Sequence, residues 1–407
     1  MSNTYTFSGK AKKLTIALMA IGVLALVYGI MSIFSAEGEE AHHHAVQHFW
    51  SNVLINGFFF FGISLAATFF LALQYAAEAG WSVVLKRVIE AVSMYLPIGA
   101  AVMLVVFLAG TLHWHHLYHW MAEGVMTPGH EHYDEIIAGK KPYLNQPFFW
   151  FRALLFMGGY ILYQRKFRQW SLQEDIEGGL SIHKKVFTWS AAFMVFFGYT
   201  SMVGSWDWIM SIDTHWFSTL FGWYIFSGMW ATAMIATVIL ILFLKSKGLL
   251  PEVNDSHIHD LGKWTFAVSF LWSYLWFAQF MLIWYSNIPE EVTYYIARIE
   301  DYKVLFFGMF FINFVFPMIL LMDKDAKKSP FMLSFVGVII FIGHWLDVYL
   351  AITPGTMKDH GHIGLLEIGM FLGFLGLFIF TALSAVAKAP LVVKNNPYLE
   401  ESLHLHH

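Results

Sequence analysis

An all-α, polytopic membrane protein of about ten transmembrane helices is what this sequence predicts, and three observations carry the expectation. Hydrophobic residues make up 58% of the 407 positions and charged residues only 13%, against roughly 25% charged in ordinary soluble domains. A soluble fold has no way to bury that much apolar surface. Second, the apolar residues fall into ten stretches, near 12–34, 53–76, 83–112, 146–163, 186–206, 217–244, 263–284, 303–322, 331–352 and 363–387. Each is close to the ~20 residues needed to cross a hydrocarbon core ~30 Å thick. Third, 17 Trp, 18 Tyr and 40 Phe suit helix ends placed at two lipid–water interfaces, where amphipathic rings are favoured.

The first stretch reads as a retained helix rather than a cleaved signal, because its apolar run exceeds the roughly 7–15 residues of a signal-peptide core and no small-x-small site follows. Lys and Arg set the orientation, since they favour cytoplasmic segments. With the N-terminus inside, the other side and its helix ends hold only Lys140, Lys141, Arg152, Arg298, Lys303 and Lys358, which leaves eighteen of the 24 basic side chains inside. Both termini are therefore expected in the cytoplasm. Two long polar stretches, 35–48 and 113–145, then face outward, and 164–185 and 245–262 are the longest inward connections. No linker or soluble domain interrupts the chain, so 1–407 reads as one integral membrane domain. Removing two peripheral helices from ten leaves two sets of four, although no sequence repeat relates them.

Cysteine is absent. That excludes Cys-ligated iron–sulfur clusters, covalently attached haem c and disulfides in this chain. The net charge of −4 argues against a nucleic-acid partner. Membrane lipids are the expected surroundings.

Ionisable groups at membrane depth are costly and are functional candidates by default. His344 and Asp347 lie roughly 20 and 24 Å along the ninth stretch at 1.5 Å per residue, and a spacing of three puts them on one helix face. Asp207, Glu367 and Arg152 sit in the same outer half. These five could line a half-channel open to the outside, as a proton path. The plainer alternative is that His344 and Asp347 bond to neighbouring helices, Arg152 neutralises a carboxylate, and Asp207 and Glu367 lie at the headgroups. Glu90, about 10 Å into the third stretch, is followed by Pro97, which kinks helices. It is a candidate for an inner half-channel, or else a glutamate snorkelling to the interface. Asn313 and Pro317 interrupt the eighth stretch in the same way. No catalytic residue is nominated.

Histidine clusters at His42, His43, His44 and His48, at His113, His115, His116 and His119, and at His130 and His132. Spacings of three and four suit a divalent metal, but adjacent exposed imidazoles often merely solvate, and no metal site is assigned. A transmembrane haem b lacks a second ligand at the depth of His344. The segment 204–217, with Trp206, Asp207, Trp208, Asp213, His215 and Trp216, reads as a structured re-entrant or interfacial loop, or as simple aromatic anchoring.

The layout, the Ser205-Trp206-Asp207-Trp208-Ile209-Met210-Ser211 segment running into 216–224, and His344-Trp345-Leu346-Asp347 resemble the ActF-type membrane subunit of alternative complex III, a bacterial quinol:cytochrome c oxidoreductase. That subunit is similar to the NrfD or polysulfide-reductase membrane-subunit family, and the resemblance covers essentially the whole chain. It implies two four-helix bundles with flanking helices in the cell inner membrane. It also implies partners: a related ten-helix subunit, an iron–sulfur protein, haem c subunits and a terminal oxidase. Haem c and iron–sulfur clusters would belong to those partners, and quinone or quinol would be the non-covalent ligand. The role implied for this chain is proton conduction, quinone binding or assembly. A stand-alone secondary transporter, which would use paired discontinuous helices, and a purely structural subunit are the competing readings. Pro97 and Pro317 are the faint markers of the first of these.

Overall fold

The computed structural model describes residues 4–406. Among them are ten helices of 19 residues or more: α1 (Gly9–Ser35), α2 (Glu39–Ala76), α3 (Val83–Thr111), α4 (Gln146–Glu177), α5 (Leu180–Trp208), α6 (Phe221–Ser246), α7 (Asp255–Ser286), α8 (Lys303–Leu321), α9 (Pro330–Met357) and α10 (Leu365–Val386). Nine of the helices in the described residues are long and apolar enough to cross a membrane, so the protein is an all-α multi-pass membrane protein. The tenth, α4, is 32 residues long. Its apolar first half gives way to Arg165, Lys166 and Arg168, which lowers its hydropathy without shortening the helix.

Helices α2 to α5 pack as one four-helix bundle and α6 to α9 as a second, joined where α2 meets α6 and α9. Short connections make sequential helices antiparallel neighbours. Buried residues run almost unbroken from Ser51 to Ala72, so α2 is apolar and buried on all sides, as a helix at a bundle–bundle seam must be. Helices α1 and α10 form a flanking pair. Lipid supplies no hydrophobic drive between helices, so close backbone approach has to hold them together. A Cβ built on Gly22 would stand 2.4 Å from Gly373 Cα; only glycine fits at that crossing.

Local chemistry starts and bends these helices. Asn145 caps α4 by accepting from Phe148 N–H at 3.0 Å, and Ser329 accepts from Met332 N–H ahead of Pro330 at the start of α9. In α3, Pro97 cannot donate to the carbonyl of Ser93, and the helix divides there into Lys86–Ser93 and Leu96–Thr111. In α8, Pro317 cannot donate to Asn313, and Phe311–Val315 widens into a π-turn. Met94, Tyr95 and Phe316 keep helical dihedrals, so neither helix is unwound.

Several polar stretches expected as loops are helical. Glu39 and Glu40 begin α2 fourteen residues before its apolar run, and most of 164–185 belongs to α4 and α5. The acidic first turn of α2 complements the helix dipole. Two ends result. At the basic end, the C-terminal segment folds across the bundles: Asn396 bonds Glu174 (3.2 Å), Ser402 bonds Trp81 O (2.9 Å) and Asn254 bonds Leu405 O (2.7 Å). At the histidine end, His43 stacks on His116 (5.9 Å), His44 meets His360 (4.7 Å) and His48 stacks on His362 (5.2 Å).

Candidate functional site

In the core of the second bundle, α9 presents His344 and Asp347 one turn apart, with Nδ1 and Oδ2 separated by 3.8 Å. The carboxylate accepts hydrogen bonds from the Tyr224 hydroxyl of α6 and, at 2.9 Å, from the Trp272 indole of α7. All four side chains are buried. The His344 ring stands edge-on to Trp272 at 5.2 Å, and neither ring nitrogen has a hydrogen-bond partner among the described residues. Gly228 faces the pair, and a Cβ there would lie 3.5 Å from Asp347 Oδ2 and 3.6 Å from His344 Nδ1. Asn313, fully buried in the π-turn of α8, abuts Gly343, the residue before His344, and its amide atoms are likewise unpartnered among the described residues. Each helix of the second bundle thus gives the site a polar side chain.

What sets Asp347 apart is the kind of partner it has. Tyr224 and Trp272 are neutral donors, and the nearest group able to become cationic is His344. No arginine or lysine pairs with Asp347 among the described residues, so its charge partner is an imidazole rather than a permanent cation. Asp207 has a permanent cation as its partner. It takes a bidentate contact from Arg152, Nε–Oδ2 2.5 Å and Nη2–Oδ1 2.9 Å, and the guanidinium also lies over Tyr143 at 4.2 Å. Arg152 and Asp207 therefore neutralise each other inside the first bundle.

The five outer-half candidates are not gathered into one chamber. Arg152 with Asp207 lies in the first bundle, His344 with Asp347 in the second, and Glu367 beside α2. Glu367 is buried, accepts from the Gly364 N–H (2.8 Å) and Asn52 (2.8 Å), and meets His48 Nε2 at 2.5 Å. Its only potentially cationic neighbour among those contacts is again an imidazole. A ladder leads from it into the protein: Asn52 O accepts from Asn56 (2.9 Å), whose Oδ1 accepts from Trp345, next to His344, at 3.0 Å. Glu90 neither snorkels nor stands free. It is buried, paired with Arg87 at 3.0 Å and with Arg168; Arg87 also meets Asp175 (2.5 Å), and Lys86 meets Glu174 (3.0 Å). This is a closed charge network at the basic end.

Sequence reasoning missed three residues here. Tyr224 and Trp272 carry ordinary aromatic signals in apolar stretches, and only the helix packing reveals their partner. Arg298, in the short helix Pro289–Glu300, had a signal: Pro354 inside α9. Pro354 leaves the Leu350 carbonyl without its helical donor, and Arg298 Nε donates to that oxygen at 2.9 Å. Arg298 also meets Asp213 at 3.2 Å and lies 3.3 Å over the Tyr294 ring, which stacks on Trp216 at 3.9 Å. The segment 204–217 is structured accordingly: the end of α5, a 3₁₀ turn at Met210–Ile212, and a loop pinned by Asp213–Arg298 and by His215–Asp134 at 2.6 Å.

In that outer region His115 is buried between Val106 O, to which Nε2 donates at 2.9 Å, and Leu117 N–H, which Nδ1 accepts at 3.2 Å. Burial lowers its pKa to about 4. Asp134 is held below the usual carboxylate range by the Ile137 N–H it caps. Among the described residues no group of three or more His, Cys, Asp or Glu side chains is placed to hold a metal ion.

A quinol site would need an apolar cleft whose wall carries a group able to take the quinol protons. A cleft of about 840 Å³ between the α1–α10 pair and helices α6 and α9 has neither carboxylate nor imidazole in its lining, so no step is routed through a quinol there. No protein-family model matches this chain, and no curated protein matches it.

Proposed function

We propose that this chain is the proton-handling membrane subunit of a bacterial respiratory quinol:cytochrome c, or quinol:oxidase, oxidoreductase. In this reading it lies in the inner membrane with both termini cytoplasmic. It carries no redox centre of its own, and partners supply the iron–sulfur clusters and haem c: an iron–sulfur protein, haem c subunits, a related ten-helix subunit and a terminal oxidase. Quinol oxidation releases protons, and a polar path through this subunit gives them a route. The observation that carries the reading is the buried His344–Asp347 pair, whose carboxylate accepts from neutral donors and pairs with no arginine or lysine among the described residues. The resemblance of the 205–224 and 344–347 segments to the ActF-type subunit supports it, and the absence of cysteine accords with electrons travelling elsewhere.

His344 and Asp347 hold and pass the proton, Tyr224 orients the carboxylate, and Glu367 with His48 forms a second exchangeable site near the histidine end. Arg152, Asp207 and Glu90 are fixed in ion pairs and serve structure in this scheme. The test is to tag the chain in its native host, extract it in mild detergent, and record co-purifying proteins together with a reduced-minus-oxidised spectrum. Co-purification of c-type haem and an iron–sulfur protein is the expected result. A chain that emerges alone and colourless sinks the proposal.

A further inference from the structure

The cleft between the α1–α10 pair and helices α6 and α9 lies at the basic end. Its apolar wall runs along α10 from Phe371 to Leu383, a rise of about 18 Å at 1.5 Å per residue. That matches one leaflet of hydrocarbon, about 15 Å deep. Phe341 and Phe378 are buried along the wall, whereas Leu14, Val338 and Ile342 in the lining are exposed, so the cleft opens sideways on the surface that spans the bilayer. Its mouth at the basic end is polar: Thr6 and Ser8 ahead of α1, Lys10 in the first turn of α1, and Lys247 beyond α6. Both lysines are exposed, and Lys247 Nζ stands 5.7 Å from the Phe243 ring.

We propose that this cleft binds an anionic phospholipid from the leaflet at the basic end, with its phosphate held between Lys10 and Lys247 and an acyl chain laid along Phe378, Phe341 and Leu240. Charge complementarity selects the occupant. Basic pockets between transmembrane helices attract anionic headgroups, and the lining has two ammonium groups and no acid to receive the cationic amine of a zwitterionic lipid. A quinol would find no proton acceptor there. The lipid would fill the gap left where α1 docks chiefly on α10. This inference stands independently of the respiratory reading.

The test uses the full chain, delipidated in detergent and titrated by native mass spectrometry with phosphatidylglycerol and with phosphatidylcholine of identical acyl chains. The first phosphatidylglycerol should bind at least about tenfold tighter, the cost in affinity of about 1.4 kcal/mol. Lys10→Gln with Lys247→Gln should bring it down to the phosphatidylcholine level. Leu240→Trp, which fills the cleft below the lysines, should weaken both lipids. Equal binding of the two lipids by the unmodified chain, or a preference that survives the double lysine variant, overturns the proposal. So does full competition by inorganic phosphate alone, or displacement by menaquinone with an affinity indifferent to the lysines.

Discussion

Replacing Arg298 by methionine should expose what a proline inside a membrane helix requires of its neighbours. Arg298 donates four hydrogen bonds, to Leu350 O, Tyr294 O, Asp213 and Ala351 O, from a buried position. The Leu350 bond matters most, because Pro354 has no N–H to return. Stranding that carbonyl costs about 1–3 kcal/mol, and lifting the guanidinium from Tyr294 costs about 0.5–2 kcal/mol. Arg298→Met should therefore destabilise the fold by about 1.5–5 kcal/mol. Pro354→Ala restores an N–H four residues after Leu350. In the Arg298→Met background it should recover about 1–3 kcal/mol, while in the unmodified chain it should gain far less. Denaturant unfolding in detergent micelles, followed by tryptophan fluorescence, gives the four free energies of the cycle. Additivity within about 0.5 kcal/mol would show that Arg298 and Pro354 are not coupled and would refute the reasoning.

Other expectations concern the remaining clusters. Arg152→Met strands the buried Asp207 carboxylate and should cost about 3–5 kcal/mol; Arg152→Met with Asp207→Asn should cost clearly less, and equal losses in the two unfolding curves would speak against the pair. His115 is neutral when folded, with its pKa lowered to about 4, so the unfolded chain binds the extra proton. Stability is complete above the unfolded value near 6.5 and falls as the pH drops from there towards 4, by about 3 kcal/mol in total. His115→Gln should flatten that slope in stability measured against pH, and an unchanged slope removes His115 as its source. Gly373→Leu forces a side chain into a 2.3 Å approach to Gly22 and should separate α1 from α10, at a cost of about 1–3 kcal/mol in denaturant unfolding; an unchanged unfolding curve would mean the helices tolerate separation.

The ten apolar stretches are legible because hydrophobic length answers directly to bilayer thickness. The ends of the helices are not, because hydropathy reports the bilayer and not the backbone; residues 39–52 and 164–177 are polar yet helical. The facing of His344 and Asp347 is legible from a spacing of three on one helix. Their donors are not, since Tyr224 and Trp272 come from two other helices and nothing in a single sequence states which faces meet. The same limit explains the five outer-half candidates. Depth along a helix places Asp207, Arg152, Glu367, His344 and Asp347 at similar levels, but depth says nothing of which bundle a helix joins, and they divide among three sites. The surroundings of Glu90 are illegible for a related reason: its partners Arg87 and Arg168 lie one turn away and on the next long helix, α4, and only the second meeting turns an interfacial acid into a buried one.

On the proposed function Asp347 exchanges a proton during turnover, and proton release by the respiratory complex proposed to contain this chain, purified from its host, tests that most directly. With Asp347→Asn, an acceptor for one of the two donors survives and the helices stay packed, so complex composition and haem content should match the unmodified complex. Quinol-driven proton release reconstituted in vesicles should nevertheless fall by roughly 100-fold or more, the usual scale for losing a proton-transfer group. An assembled Asp347→Asn complex that releases protons at the unmodified rate would contradict the account and leave the His344–Asp347 pair as a structural contact between helices.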